Sequence, residues 1–141
     1  MADEEEISWP YTNAPCLGIR LKAGDGEEYP LGLDNEELVM IDTGYDGELC
    51  LPGYLYEELG FNMWEEPEPD EFGLADGSSI CLKAAQGYIL IPKLTLDPFH
   101  VRVHSACEED QDTDEIIIGV KFIKRFKLLL DGPATKVSVL L

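Results

Sequence analysis

Positive charge is scarce in this 141-residue sequence: 10 Lys and Arg stand against 29 Asp and Glu, for a formal net charge of −19. Phosphate backbones and anionic lipid headgroups repel such a chain, which argues against nucleic acid and against a membrane surface as partners. Long apolar runs are missing as well. None approaches the roughly 20 residues that a membrane span needs. The opening MADEEEISWP is acidic and has no apolar segment, unlike a secretory leader. Cysteine is sparse and scattered. Cys16, Cys50, Cys81 and Cys107 form no C-x-x-C pair, which speaks against a zinc centre. Most of them sit in apolar surroundings and read as small core residues with free thiols, so a reducing, cytoplasmic setting is the default.

What remains suffices for one domain. The apolar fraction is 45%, ordinary for a globular chain, and a chain of this length can hide about two-thirds of its unfolded surface. Residues 1–8 read as an acidic disordered tail and 9–141 as a single domain. The pattern within it is mostly strand-like. Residues 16–22 alternate and stop at the turn cluster Ala23-Gly24-Asp25-Gly26. Residues 38–42 form an apolar strand expected to be buried on both faces. A short strand at 48–51 ends at Pro52-Gly53, and 54–59 suit two helical turns capped by Gly60.

An acidic, proline-bearing loop at 64–70 leads into a hairpin with Asp76-Gly77 at its tip, where a type I′ turn would need positive φ at both residues. Strands follow at 79–85, 88–91 and 99–104. After an acidic loop at 108–115 come a strand (116–118), a short helix (120–125) and two strands (126–130 and 135–140) around Asp131-Gly132-Pro133. Many short strands with regular turn signals and two short helices predict a mainly β protein, an antiparallel barrel or sandwich.

One segment carries chemistry. Leu38-Val39-Met40-Ile41 runs without a polar residue straight into Asp42-Thr43-Gly44. A strand end fixes a carboxylate in position. The glycine lets the chain turn and bring backbone N–H groups near it, and the threonine hydroxyl can lock the loop. A single carboxylate does little for peptide hydrolysis, whereas two sharing a proton can hold a water, one acting as base and the other as acid. The chain contains one Asp-Thr-Gly. Asp46-Gly47 and Asp76-Gly77 lack the threonine and the strand leading into it, and Asp131 follows Leu128-Leu129-Leu130 but runs into Gly132-Pro133, a terminating turn. The second carboxylate therefore has to come from a second copy across a two-fold axis.

Three segments, in this order, carry a resemblance: Val39-Met40-Ile41-Asp42-Thr43-Gly44, then Leu74-Ala75-Asp76-Gly77-Ser78, then Ile116-Ile117-Ile118-Gly119-Val120. Over residues 16–140 the chain resembles the retropepsin-like, single-domain aspartic proteases of bacterial and archaeal type. The resemblance implies a closed antiparallel barrel with one or two short helices and a homodimeric aspartic endopeptidase that works on a peptide or protein without metal or cofactor. It implies Asp42 as the catalytic carboxylate, with Thr43 bracing the loop across the dimer axis and Gly44 offering its backbone to substrate. It implies Tyr45 and Asp46 in the cleft, and Ala75, Asp76, Gly77 and Ser78 as a flap over a bound peptide. Ile117, Ile118 and Gly119 would support the Asp42 loop from beneath. Two departures stand out. Tyr45 replaces the family's small residue after Asp-Thr-Gly and could fill part of the cleft. Val120 stands where retroviral members carry an arginine, leaving Asp46 without that partner.

Plainer readings accompany these. Asp42 as a turn residue capping its own loop, and Asp76-Gly77 as an ordinary hairpin turn, use the same residues. A dimeric peptide-binding or scaffolding module of the same fold, without catalysis, is the alternative function. His100, Arg102 and His104 share one strand face and read as a solvated polar face rather than a metal site, since no further ligand has matching spacing. The acidic run at 108–115 reads as a solvated loop. The C-terminal strand ends on apolar residues, which suggests that something covers it.

Overall fold

Short alternating segments separated by turn residues make strands the main element of the chain. The computed structural model describes residues 6–10, 14–30, 32, 35–95 and 97–140. In chain order these give β1 (Glu6–Pro10), β2 (Cys16–Ala23), β3 (Glu28–Tyr29), β4 (Glu37–Ile41), β5 (Leu49–Cys50), α1 (Gly53–Glu58), β6 (Asp70–Gly73), β7 (Ser79–Leu90), β8 (Phe99–Ala106), β9 (Ile117–Ile118), α2 (Val120–Ile123), β10 (Lys127–Asp131) and β11 (Lys136–Leu140). The expected mainly β class with two short helices is what the chain adopts. No helix among the described residues is long and apolar enough to cross a membrane.

Two sheets organise the strands. A three-stranded sheet has the order β1-β11-β10, and an eight-stranded one runs β3-β2-β4-β9-β5-β8-β7-β6, with β2 also paired to β7. Most neighbours are antiparallel, but β4 runs parallel to β9 and β5 parallel to β8. The core is apolar and aliphatic: Leu17, Ile19, Leu21, Val39, Ile41, Leu49, Leu51, Val101, Val103 and Ile118 are buried, with Tyr56, Phe61 and Phe122 beneath the helical segments.

Several expectations are revised by this arrangement. Strand β4 is not buried on both faces: Val39 and Ile41 point inward, but Leu38 is 49% exposed. The strand fully enclosed is β2, whose pairings with β4 and β7 place it in the middle of the fold. The acidic tail expected over 1–8 is cut short, because Glu6, Ile7 and Ser8 pair with Leu140, Val139 and Ser138. Residues 1–5 lie outside the described residues. Strand β11 has β1 and β10 on its two sides, and its Val137, Ser138 and Val139 are buried within the chain; Leu141 lies outside the described residues.

The strands expected at 79–85 and 88–91 form one long β7 that ends at Leu90. Its Gly87 does not break it; a Cβ there would press on the Phe61 ring and Val103, so glycine admits a close-packed neighbour. The hairpin tip differs too. Gly77 has φ +88°, whereas Thr135 alone among described non-glycine residues has positive φ. Gly77 N–H bonds to Leu74 O and Leu74 N–H to Ser78 O. This is a type I turn followed by a left-handed glycine, the three-residue hairpin solution rather than type I′. Cys81 and Cys107 are not free thiols but form a disulfide between neighbouring strand ends. Cys16 and Cys50 remain free. The cytoplasmic expectation rested on unpaired thiols, so that argument falls with this bridge.

Candidate functional site

Parallel pairing of β4 with β9 delivers Asp42. Met40 and Ile41 lie opposite Ile117 and Ile118, and the next step of the ladder is made by Asp42 N–H donating to Ile118 O at 2.9 Å. The chain then turns. Gly44 N–H donates to Asp42 Oδ1 at 2.9 Å, and Tyr45 N–H to Asp42 O at 3.2 Å. The backbone thus supplies the loop's lock, with Asp42 half-buried and Thr43 and Gly44 exposed. Gly44, expected to face substrate, gives its N–H to Asp42 itself.

Beneath the loop, Val120 N–H donates to Tyr45 O, Lys121 N–H to Gly47 O and Gly119 N–H to Glu48 O, at 3.0, 3.1 and 3.0 Å. A Cβ on Gly119 would collide with Gly47 O and with Tyr45 O. Close backbone approach is therefore the reason for glycine there, and Ile117, Ile118 and Gly119 lie under the loop.

An apolar cavity of about 260 Å³ opens beside Asp42. Asp42, Gly44, Tyr45, Asp46 and Ile117 line it together with Phe72, Gly73, Leu74, Ile80 and Leu82 from the hairpin. The hairpin stem and Leu74 face this cavity; Ala75, Asp76, Gly77 and Ser78 do not line it and are exposed. Their hydrogen bonds are internal: Asp76 Oδ1 accepts from Ser78 N–H at 2.9 Å and from the Ser78 hydroxyl at 2.5 Å. These bonds hold the Asp76 carboxyl below its ordinary range. Cys50 also borders the cavity, and burial pushes its thiol up to about 12, so it stays neutral.

Tyr45 does not stand in the cleft as a plug. Its ring borders the cavity, but its hydroxyl turns inward to Leu49 O at 3.2 Å and His104 Nδ1 at 2.5 Å. Burial above all raises its phenol, which remains protonated. His104 is 2% exposed, which overturns the solvated polar face expected for His100, Arg102 and His104; only His100 is exposed. His104 Nε2 meets Asp70 Oδ2 at 2.8 Å. The same carboxylate oxygen accepts from Arg102 Nε at 2.9 Å, and Arg102 Nη1 reaches Glu66 Oε2 at 2.6 Å.

Burial lowers the His104 imidazole, with the Asp70 carboxylate opposing it; Asp70 is lowered in turn, first by its bond with His104 and then by Arg102. The geometry satisfies both charge states. Neutral His104 accepts from the Tyr45 hydroxyl and donates to Asp70; as imidazolium it donates to both, and the Tyr45 proton turns to Leu49 O. A polar cavity of about 600 Å³ lies over this group, lined by Asp46, Glu48, Asp70, Glu71, Arg102, His104 and Lys121 among others.

Sequence reasoning singled out Asp42, its turn and the segment beneath it, but not the Tyr45–His104–Asp70 group. No local pattern pairs His104 with Asp70 across 34 positions or with Tyr45 across 59. It also missed a brace. Asp46 is exposed and Val120 carries no charge, but Arg125, just past α2, forms an ion pair with Glu48 and donates to His100 O at 2.9 Å. An arginine near the expected place, opposite a second acidic residue of the same loop, was the available signal. A scan of the sequence against protein-family models finds no match, and a search of curated proteins finds none either.

Proposed function

We propose that this chain is half of a homodimeric, retropepsin-type aspartic endopeptidase, with Asp42 as its catalytic carboxylate. The observation that carries the reading is Asp42 itself. It sits at the end of β4, fixed by Ile118 O and by Gly44 N–H, beside an apolar cavity that a hairpin borders. The exposure of Thr43 and Gly44 supports an approach by a second copy at this loop. The pairing of β2 with both β4 and β7 supports the closed barrel of that family.

In this mechanism the two Asp42 side chains share one proton and hold a water between them. The ionised one takes a proton from the water, whose oxygen bonds to the peptide carbonyl carbon. The protonated one gives its proton to the carbonyl oxygen. Collapse of the tetrahedral intermediate then breaks the C–N bond, and the leaving nitrogen takes up a proton from the dyad. The pair needs one shared proton, so activity peaks in acid. The apolar cavity favours a peptide with a large aliphatic or aromatic side chain next to the cut bond. Thr43 braces the partner loop, and residues 75–78 close over the substrate.

Peptide-library hydrolysis by wild type and Asp42→Asn, with sedimentation of both, tests the reading. Cleavage in acid by wild type, its loss in the variant and a dimer in each are expected. Cleavage that survives Asp42→Asn would remove Asp42 from the chemistry. Peptide binding by both proteins with cleavage by neither would assign the cleft to a non-catalytic dimeric module.

A further inference from the structure

We propose that Tyr45, His104 and Asp70 form a tie that positions the Asp42 loop against the covering hairpin, which makes Tyr45 a positioning residue for Asp42. The proposal deepens the peptidase reading and rests on it. The argument starts from connectivity. β6 ends the eight-stranded sheet and has β7 as its one strand neighbour. Its main chain therefore gives it no ladder to the Asp42 loop, although Phe72 and Gly73 of β6 line the same apolar cavity as Asp42. Side chains bridge that gap.

Tyr45 is bound to the loop on its backbone side through Asp42 O and Val120 N–H, at 3.2 and 3.0 Å. On its side-chain side it meets His104 Nδ1 at 2.5 Å, and His104 Nε2 meets Asp70 of β6 at 2.8 Å. Both imidazole nitrogens are thus occupied, one by the Asp42 loop and one by β6. Apolar packing follows the same path: the Phe72 ring lies edge-on to His104 at 5.2 Å and 5.9 Å from Tyr45. A buried imidazole bonded on both sides fixes distance as well as direction. The tie therefore sets the gap between Asp42 and the hairpin stem, the gap a substrate side chain has to enter. Misplacement by an ångström at such a gap reduces rate far more than binding.

The test uses the full chain and four proteins: wild type, Tyr45→Phe, Asp70→Ala and Asp70→Asn. Phenylalanine keeps the ring and loses the bond to His104. Alanine at 70 cuts the other end of the tie, and asparagine keeps a carbonyl acceptor for His104. Amide hydrogen exchange is followed over residues 42–47 and 70–79, and peptide hydrolysis is resolved into kcat and KM. Tyr45→Phe and Asp70→Ala are expected to speed exchange in both segments, and to lower kcat at least tenfold with KM within about threefold. Asp70→Asn is expected to stay within about twofold of wild type in both readouts. Faster exchange confined to the segment that carries the substitution, or wild-type kcat in Asp70→Ala, would overturn the tie. If Tyr45→Phe does not fold, the two Asp70 variants decide alone. If wild type shows no Asp42-dependent hydrolysis, the peptidase reading falls and the positioning role with it. The exchange measurement then still decides whether the loop and the hairpin are coupled.

Discussion

Beside the apolar cavity, the Asp42 loop is bonded through its backbone to Ile118 and Val120, far along the chain; the hairpin tip at 74–78, of which only Leu74 lines the cavity, has its hydrogen bonds among the described residues within itself. The first arrangement exists only when β4, β9 and α2 have come together. The second is local and can form from its own turn residues. The contrast is one of range: the carboxylate's loop is held by segments distant in the chain, and the hairpin tip by its neighbours in sequence.

Four substitutions or conditions sharpen the contrast. The largest effect is expected at Gly119→Ala, where the new methyl group meets backbone oxygens of residues 45 and 47 that no rotamer change can move. The cost falls at the upper end of the about 1–3 kcal/mol typical of overpacking, read as a fall in Tm of about 10 °C. Tyr45→Phe is next. It leaves Leu49 O and His104 Nδ1 without the phenol, and about 1–2 kcal/mol of stability is expected to go by denaturant titration. Gly77→Ala probes the hairpin tip. Nothing lies within 4 Å of a Cβ there, so the φ of +88° is the sole penalty, about 1 kcal/mol. A Gly77→Ala loss equal to that of Gly119→Ala would erase the distinction between the two regions.

The smallest effect is a pH dependence. Burial holds the His104 imidazole below its unfolded value, so on acidification the unfolded chain binds the proton first. Wild type therefore loses stability as pH falls through about 6.5 toward the lower folded value. His104→Gln has no titrating group there. The Tm gap between the two proteins is expected to narrow from pH 7.5 to pH 5. Asp70, also held low, contributes stability that is present above about 3.9 and lost below it, outside this window. A gap that widens with acid would reverse the assigned direction for His104.

Much of this protein was legible in its sequence, and the reason is range. The strand into Asp42, the cap at Gly60, the hairpin around Gly77 and the helix after Gly119 depend on apolar alternation and turn chemistry within a few residues. What the tertiary structure alone decided involves partners far apart in the chain: the inward turn of Tyr45, the burial of His104 against Asp70, the Cys81–Cys107 bridge and the place of β11 between β1 and β10. Alternation states that two side chains share a strand face. It does not state what covers that face, because the cover comes from strands whose register is fixed only when the sheet assembles.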